Sequence, residues 1–162
     1  MNILLVKISK GVDYMCNNNN NNNNACCISE ILNVISILQQ NADCADSCLD
    51  TCDRGFLGCS TTSLVCNTRP VMLYTCCGNG TPWSMPATKT AGTCGDEGVT
   101  CSSVFRVEKI DGCCATFRVL AENPDTTTSA TIPYVATNSF FTMDLNCCCV
   151  IRCLQDTFVE CI

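Results

Sequence analysis

Apolar and polar positions alternate most clearly in VFRVEKIDGCCATFRVLA, residues 104–121, where two runs rich in β-branched and aromatic residues flank Asp111-Gly112. Asp-Gly is a favoured pair for a two-residue turn that preserves strand twist, so the stretch predicts a tight β-hairpin. With the turn at Asp111-Gly112, Ile110 faces Cys113, Lys109 faces Cys114, Arg106 faces Phe117 and Phe105 faces Arg118. Neighbouring strand residues point to opposite faces, so Cys113 and Cys114 are expected to send one sulfur inward and one outward. Val104, Ile110, Ala115, Phe117 and Val119 would line one face and Phe105, Val107 and Leu120 the other. That suits a strand pair covered on both sides, by a second sheet or by another subunit.

Upstream, Ile28, Ile31, Ile35 and Leu38 recur at helical spacing, with Cys27 and Val34 adjoining, and Asn41-Ala42-Asp43 closes the run. One amphipathic helix with a buried stripe is expected. Val71, Leu73 and Thr75 alternate with Met72, Tyr74 and Cys76 in a strand that begins at Pro70. Thr81–Ala87 reads as a short edge strand, Thr88–Thr100 as loop, and Thr131–Ala136, Ser139–Leu145 and Val150–Leu154 as further strands. Short strands at this spacing, joined by Gly, Pro and Asn, predict a mainly β protein, a small β-sandwich with one N-terminal amphipathic helix. Residues 25–162 form that single domain. Residues 1–24 form a tail whose eight-asparagine run, Asn17–Asn24, has nothing to bury and is expected to be disordered. Lys10-Gly11-Val12 is encodable by a ribosome-binding sequence at a normal distance from Met15, so translation is expected to start at Met15. An intact mass that includes residues 1–14 would overturn that.

Composition changes the picture in one respect. At 162 residues the chain can bury a core without metal or disulfide, yet it carries 19 cysteines. There is no histidine, the net charge is −6, and the nine basic residues are scattered, which leaves no nucleic-acid surface and no anionic-membrane patch. No apolar run approaches the length that spans a bilayer, and residues 2–8 are too short for a secretory signal. Cysteine density of this order marks an oxidising setting, while nothing addresses the chain to export.

Cysteines adjoin at 26/27, 76/77 and 113/114, and Cys147-Cys148-Cys149 is a triplet. An extended backbone points neighbouring sulfurs apart, so each pair is expected to serve two different partners. Cys44, Cys48 and Cys52 recur every four residues, on one face if helical. The odd total leaves at least one thiol per chain over after intrachain pairing. Candidate disulfide or crosslink positions are Cys26, Cys27, Cys44, Cys48, Cys52, Cys113, Cys114, Cys147, Cys149 and Cys153, with exposed loop thiols expected also at Cys59 and Cys94. Reduced cysteine is also a good small core residue, which accounts for inward-facing sulfurs. A thiol enzyme lacks a base, since histidine is absent and no Cys-x2-Cys redox motif occurs. Arg106 with Glu108 reads as a lateral surface pair rather than an active-site pair. No catalytic residue, cofactor or metal is assigned. The competing reading is a soluble thiol-rich metal-binding module, which stoichiometric zinc or iron in a monomer would favour.

Three segments resemble the spore coat Y/Z family, cysteine-rich proteins of the outer coat, crust or exosporium basal layer of endospores. CNTRPVMLYT, 66–75, is similar to its Asn-Thr-Arg-Pro strand. FRVE, 105–108, with Cys114-Ala115 and Arg118–Leu120, is similar to its central hairpin. MDLNCCCVIRCL, 143–154, resembles its carboxy-terminal pattern and places Cys147, Cys149 and Cys153 on family cysteines. Met15-Cys16-Asn17 resembles its amino terminus. Asparagine replaces the family's histidine-rich tract, and Cys148 stands at a usually aromatic position, where it is expected to add a crosslink. The resemblance implies a structural protein that assembles with itself, and with other spore coat or exosporium proteins, into a two-dimensional, often hexagonal, disulfide-crosslinked lattice. It implies synthesis in the mother-cell cytoplasm and oxidation on the spore surface, with no membrane insertion, which removes the compartment conflict. Arg69, Phe105, Arg106, Glu108, Asp111 and Gly112 are the expected assembly or structural positions.

Overall fold

The computed structural model of the chain describes residues 27–40, 42, 66–125, 127–129, 131–160 and 162. The expectations for the 1–24 tail, for Cys26, for the Cys44, Cys48 and Cys52 series and for Cys59 lie outside the described residues. Elements run α1 (Cys27–Gln40), β1 (Val71–Thr75), β2 (Met85–Pro86), β3 (Cys101–Ser102), β4 (Val104–Asp111), β5 (Cys114–Glu122), β6 (Tyr134–Asp144), a 3-10 turn (Leu145–Cys147) and β7 (Cys148–Cys153). The protein is mainly β with an N-terminal helix, as its patterning predicts. A five-stranded antiparallel sheet has the order β6-β5-β4-β1-β7, and β2 pairs with β3 in a small ribbon.

That sheet cannot be flat. Its outer strands β6 and β7 would lie four strand spacings apart, about 19 Å. The connection from Asp144 to Cys148 is four residues long and reaches at most about 14 Å. The sheet therefore curls until its two edges nearly meet. The bend falls between β4 and β1, joined by a single residue pair, Val71 opposite Phe105. Curling turns one face into an enclosed core in which Val71 and Leu73 of β1 join Phe105, Val107, Phe117, Val119 and Met143. Two faces of one sheet thus do the work that the sequence assigned to a sandwich. Phe105, Phe117 and Phe141 form its aromatic centre, with Phe105 edge-on to Phe141 at 4.8 Å and Phe117 stacked on Phe141 at 5.3 Å.

The hairpin forms with a register one residue away from expectation. Asp111 pairs with Cys114, so the turn residues are Gly112 and Cys113. Gly112 has φ +58°, the positive value required at the first central position of one favoured hairpin turn, and it takes that position in place of Asp111. A bulge between Val107 and Lys109, leaving Glu108 unpaired, then compensates the phase. Phe105 and Val107 consequently share the core face with Ala115, Phe117 and Val119, not the opposite one. The other face is polar and half-exposed. Arg106 and Arg118 stand directly opposite each other, and Glu108 bridges them, accepting from Arg106 Nη1 and Arg118 Nε at 2.7 Å each. Arg106 and Glu108 are the lateral pair expected.

Helix α1 packs on β4 and β7 through Ile28, Leu32 and Ile35. Its buried stripe is rotated from the expected one: Val34 is exposed and Ile31 and Leu38 half-buried, while Ser29 and Gln39 are buried. The reason is polar. Where β1 diverges, β4 has carbonyls with no strand partner. Ser29 Oγ donates to Gly112 O at 2.6 Å and Gln39 Nε2 to Val107 O at 2.9 Å. Gln39 Oε1 also accepts from Arg69 N, so one amide spans the gap between β4 and the approach to β1. The two strands expected within 131–145 are one, β6, interrupted where Thr137 Oγ1 donates to Val119 O.

Candidate functional site: a disulfide end and a thiol end

The cysteines sort by position along the sheet. At the end where β4 begins, Cys94 and Cys101 form a disulfide, S–S 2.08 Å, and Cys101 stands three residues before Val104. Cys94, expected as an exposed loop thiol, is therefore closed. Its loop is tied by Asp96, which accepts from Thr93 N at 2.7 Å and Thr93 Oγ1 at 2.8 Å. Those two bonds hold the Asp96 carboxyl below its ordinary range, the backbone one contributing more. Cys66 and Cys153 are likewise disulfide-bonded, and Cys153 faces Val71, whose other neighbour is Phe105 near the start of β4.

The same end is clasped by Asn67-Thr68-Arg69-Pro70. Asn67 uses its side chain as a strand would, donating from Nδ2 to Val159 O and accepting from Val159 N, both at 2.9 Å. Thr68 and Thr157 exchange backbone bonds, and Leu154 N donates to Pro70 O. Arg69 donates Nε and Nη2 to the two oxygens of Asp156 at 2.8 and 2.9 Å. Both partners are almost wholly buried. Each residue of the motif grips residues 154–159, the segment that follows Cys153.

Five residues of extended strand, about 17 Å, separate Cys153 from Cys148 at the other end of β7. All eight reduced cysteines among the described residues gather there. A chain of hydrogen bonds shows how. Ser29, two residues after Cys27, donates to Gly112 O at the hairpin tip; Leu145 N donates to Cys113 O; Cys76 N donates to Cys147 O. Cys114 opens β5 opposite Asp144, and Cys148 pairs with Thr75. Cys27, Cys77, Cys114, Cys147 and Cys149 are exposed, Cys76 and Cys113 half-buried. Cys148 is buried, only 6% exposed, and belongs to the core, so the expected extra crosslink there does not fit its surroundings.

A bulge organises the exposed sulfurs. Tyr74 pairs with Val150 and Thr75 with Cys148, which leaves Cys149 as the extra residue of β7. Its sulfur lies 3.5 Å from Tyr74 O and hydrogen-bonds with the Cys76 thiol, and that bond, ahead of the small desolvation, pushes the Cys149 thiol above its ordinary range. Cys77 adds a weaker through-space effect in the same direction. No group of three Cys, Asp or Glu side chains among the described residues is gathered as a metal ion requires.

Residues 15–156, which contain both the clasp and the cysteine triplet, match the sequence profile of spore coat protein Z. The chain belongs to that family. Comparison with curated proteins and with solved structures returns no match. Membership supports a structural role at the spore surface, and the placement of the predicted positions accords with structure rather than chemistry: Phe105 is core, Arg69 the clasp, Asp111 and Gly112 the hairpin turn. Among the sequence candidates, the fold brings Cys27, Cys113, Cys114, Cys147 and Cys149 to one end and takes Cys153 to the other. Cys76 and Cys77 were not among those candidates. Their adjacency was visible, but nothing local to them says that the end of β1 lies beside Cys147–Cys149.

Proposed function

We propose that this spore coat protein assembles with copies of itself, and with other coat or exosporium proteins, into a two-dimensional layer of the spore surface that is locked by disulfides between chains. The observation that carries this reading is the segregation of the cysteines. Four described sulfurs are spent inside the chain at one end, while five exposed thiols stand together at the other. A lone exposed thiol gives one link; a cluster gives several between the same two neighbours, so breaking one leaves the junction intact. Apolar and hydrogen-bonded contacts bring neighbours into register, and the sulfurs then close at about 2.05 Å. Synthesis in the mother-cell cytoplasm and oxidation on the maturing spore, or after lysis, fit a chain that reaches an oxidising setting without export. Electron microscopy of the purified protein with and without reductant tests the reading, together with gels of spore extracts run in detergent with and without reductant. Ordered sheets and reductant-sensitive ladders are expected. Single chains alone in unreduced spore extract would refute it.

A further inference from the structure

The thiol end is not uniform. Four of its exposed sulfurs, Cys27, Cys77, Cys114 and Cys147, differ from Cys149, which the bulge aims back across β1. We propose that Cys76 and Cys149 are an intrachain redox pair, closed by exchange with a low-molecular-weight disulfide into a latch across the β1–β7 bulge. The geometry supplies both the partner and the order of events. The two sulfurs are already in hydrogen-bond contact, and Cys149, whose S–H also points at Tyr74 O, is the donor. Cys76, the acceptor, is therefore the sulfur that attacks first. Its thiolate displaces one half of the small disulfide and forms a mixed disulfide, releasing one small thiolate. Cys149 then gives up its proton and attacks Cys76 Sγ, expelling the second small thiol. In sum, one small disulfide and two protein thiols become one protein disulfide and two small thiols. The raised Cys149 pKa suits it to this second step, in which it must not compete for the first.

Two sulfurs held in contact within one chain react at an effective concentration far above that of any second chain in dilute solution. The latch therefore closes first. What remains for links between chains is the set Cys27, Cys77, Cys114 and Cys147, and only this corollary rests on the proposed assembly.

The reduced full-length chain is titrated with oxidised glutathione and quenched with acid. Reductant-free digests are then mapped by mass spectrometry beside non-reducing gels. Because Cys76 and Cys77 share a peptide, as do Cys147–Cys149, the assignment comes from variants. The peptide pair joining the two regions is expected while the chain is still monomeric. It should be lost in Cys76→Ser and in Cys149→Ser, and kept in Cys77→Ser and Cys147→Ser. Far-UV circular dichroism checks that each variant folds, and in the wild type added dithiothreitol must reverse the link. A link that survives Cys76→Ser or Cys149→Ser, or that joins isotopically light to heavy chains in a mixed sample, overturns the latch. If the wild type latches but never links chains at higher oxidant, the assembly reading fails and the latch stands. If chains link without the peptide pair, the latch fails and assembly stands.

Discussion

Replacing Arg69 by alanine tests the clasp directly. Arg69 is 3% exposed, and the side chains of the pair are 4% and 5% exposed. Truncation leaves the Asp156 carboxylate buried without its two guanidinium donors. Removing one partner of a buried pair costs about 3–5 kcal/mol, against about 5–15 kcal/mol for the whole stability of a typical domain. The folding equilibrium should thus fall by roughly a hundred- to several-thousandfold, since each 1.4 kcal/mol is a factor of about ten. The assay is urea unfolding followed by far-UV circular dichroism, with the disulfides of variant and wild type in the same state. Arg69→Lys keeps the charge but loses the two-pronged geometry, and should lie between. The decisive comparison is Arg69→Met with Asp156→Leu together, which removes both charges and refills the volume. If burial of an unpaired charge is the cause, the double variant returns to within about 1–2 kcal/mol of wild type. Raised salt should change little, because the pair is shielded from solvent ions. A loss below about 1 kcal/mol for Arg69→Ala, or a double variant as weak as the single, would refute the reasoning.

Three further outcomes are expected. Gly112→Ala places a side chain at φ +58° with no atom within 4 Å of its Cβ, so the cost is conformational, about 1–2 kcal/mol by the same unfolding assay. Phe117→Ala opens the aromatic centre and should cost about 3–5 kcal/mol, with retained helix and strand signal at low denaturant. For Cys149, the hydrogen bond from its thiol to Cys76 holds the proton more tightly in the folded state, so its stabilising effect is present below the ordinary thiol pKa and is lost as pH rises through the raised one. Its iodoacetamide labelling should accordingly rise only above the ordinary thiol range, and Cys76→Ser should move that rise to lower pH; an unmoved profile would contradict the contact.

Local pattern determined the elements. Alternation in residues 104–121, helical recurrence from Ile28 to Ile35 and the strand after Pro70 each depend on residues a few positions apart, and each is present in the fold. The Asn-Thr-Arg-Pro motif was legible as a signature but not as a clasp, because its partners lie at 154–159, nearly ninety residues away. Hairpin register escaped the sequence for a local reason: Asp-Gly and Gly-Cys both offer glycine to the turn, and the choice rests on which phase buries Phe105 and Phe117 together. The helix stripe escaped it for a tertiary one, since Ser29 and Gln39 are buried only because β4 lacks a strand partner beside them. Diverging neighbours explain why Cys148 is core while Cys147 and Cys149 are exposed. They do not say which ends of the sheet meet. That was decided by a four-residue connection too short to span a flat sheet, which curls it and brings Cys76 and Cys77 against the cysteine triplet. Spacing along a chain can name sulfurs that face outward, but only the closed sheet puts eight of them at one end and the disulfides at the other.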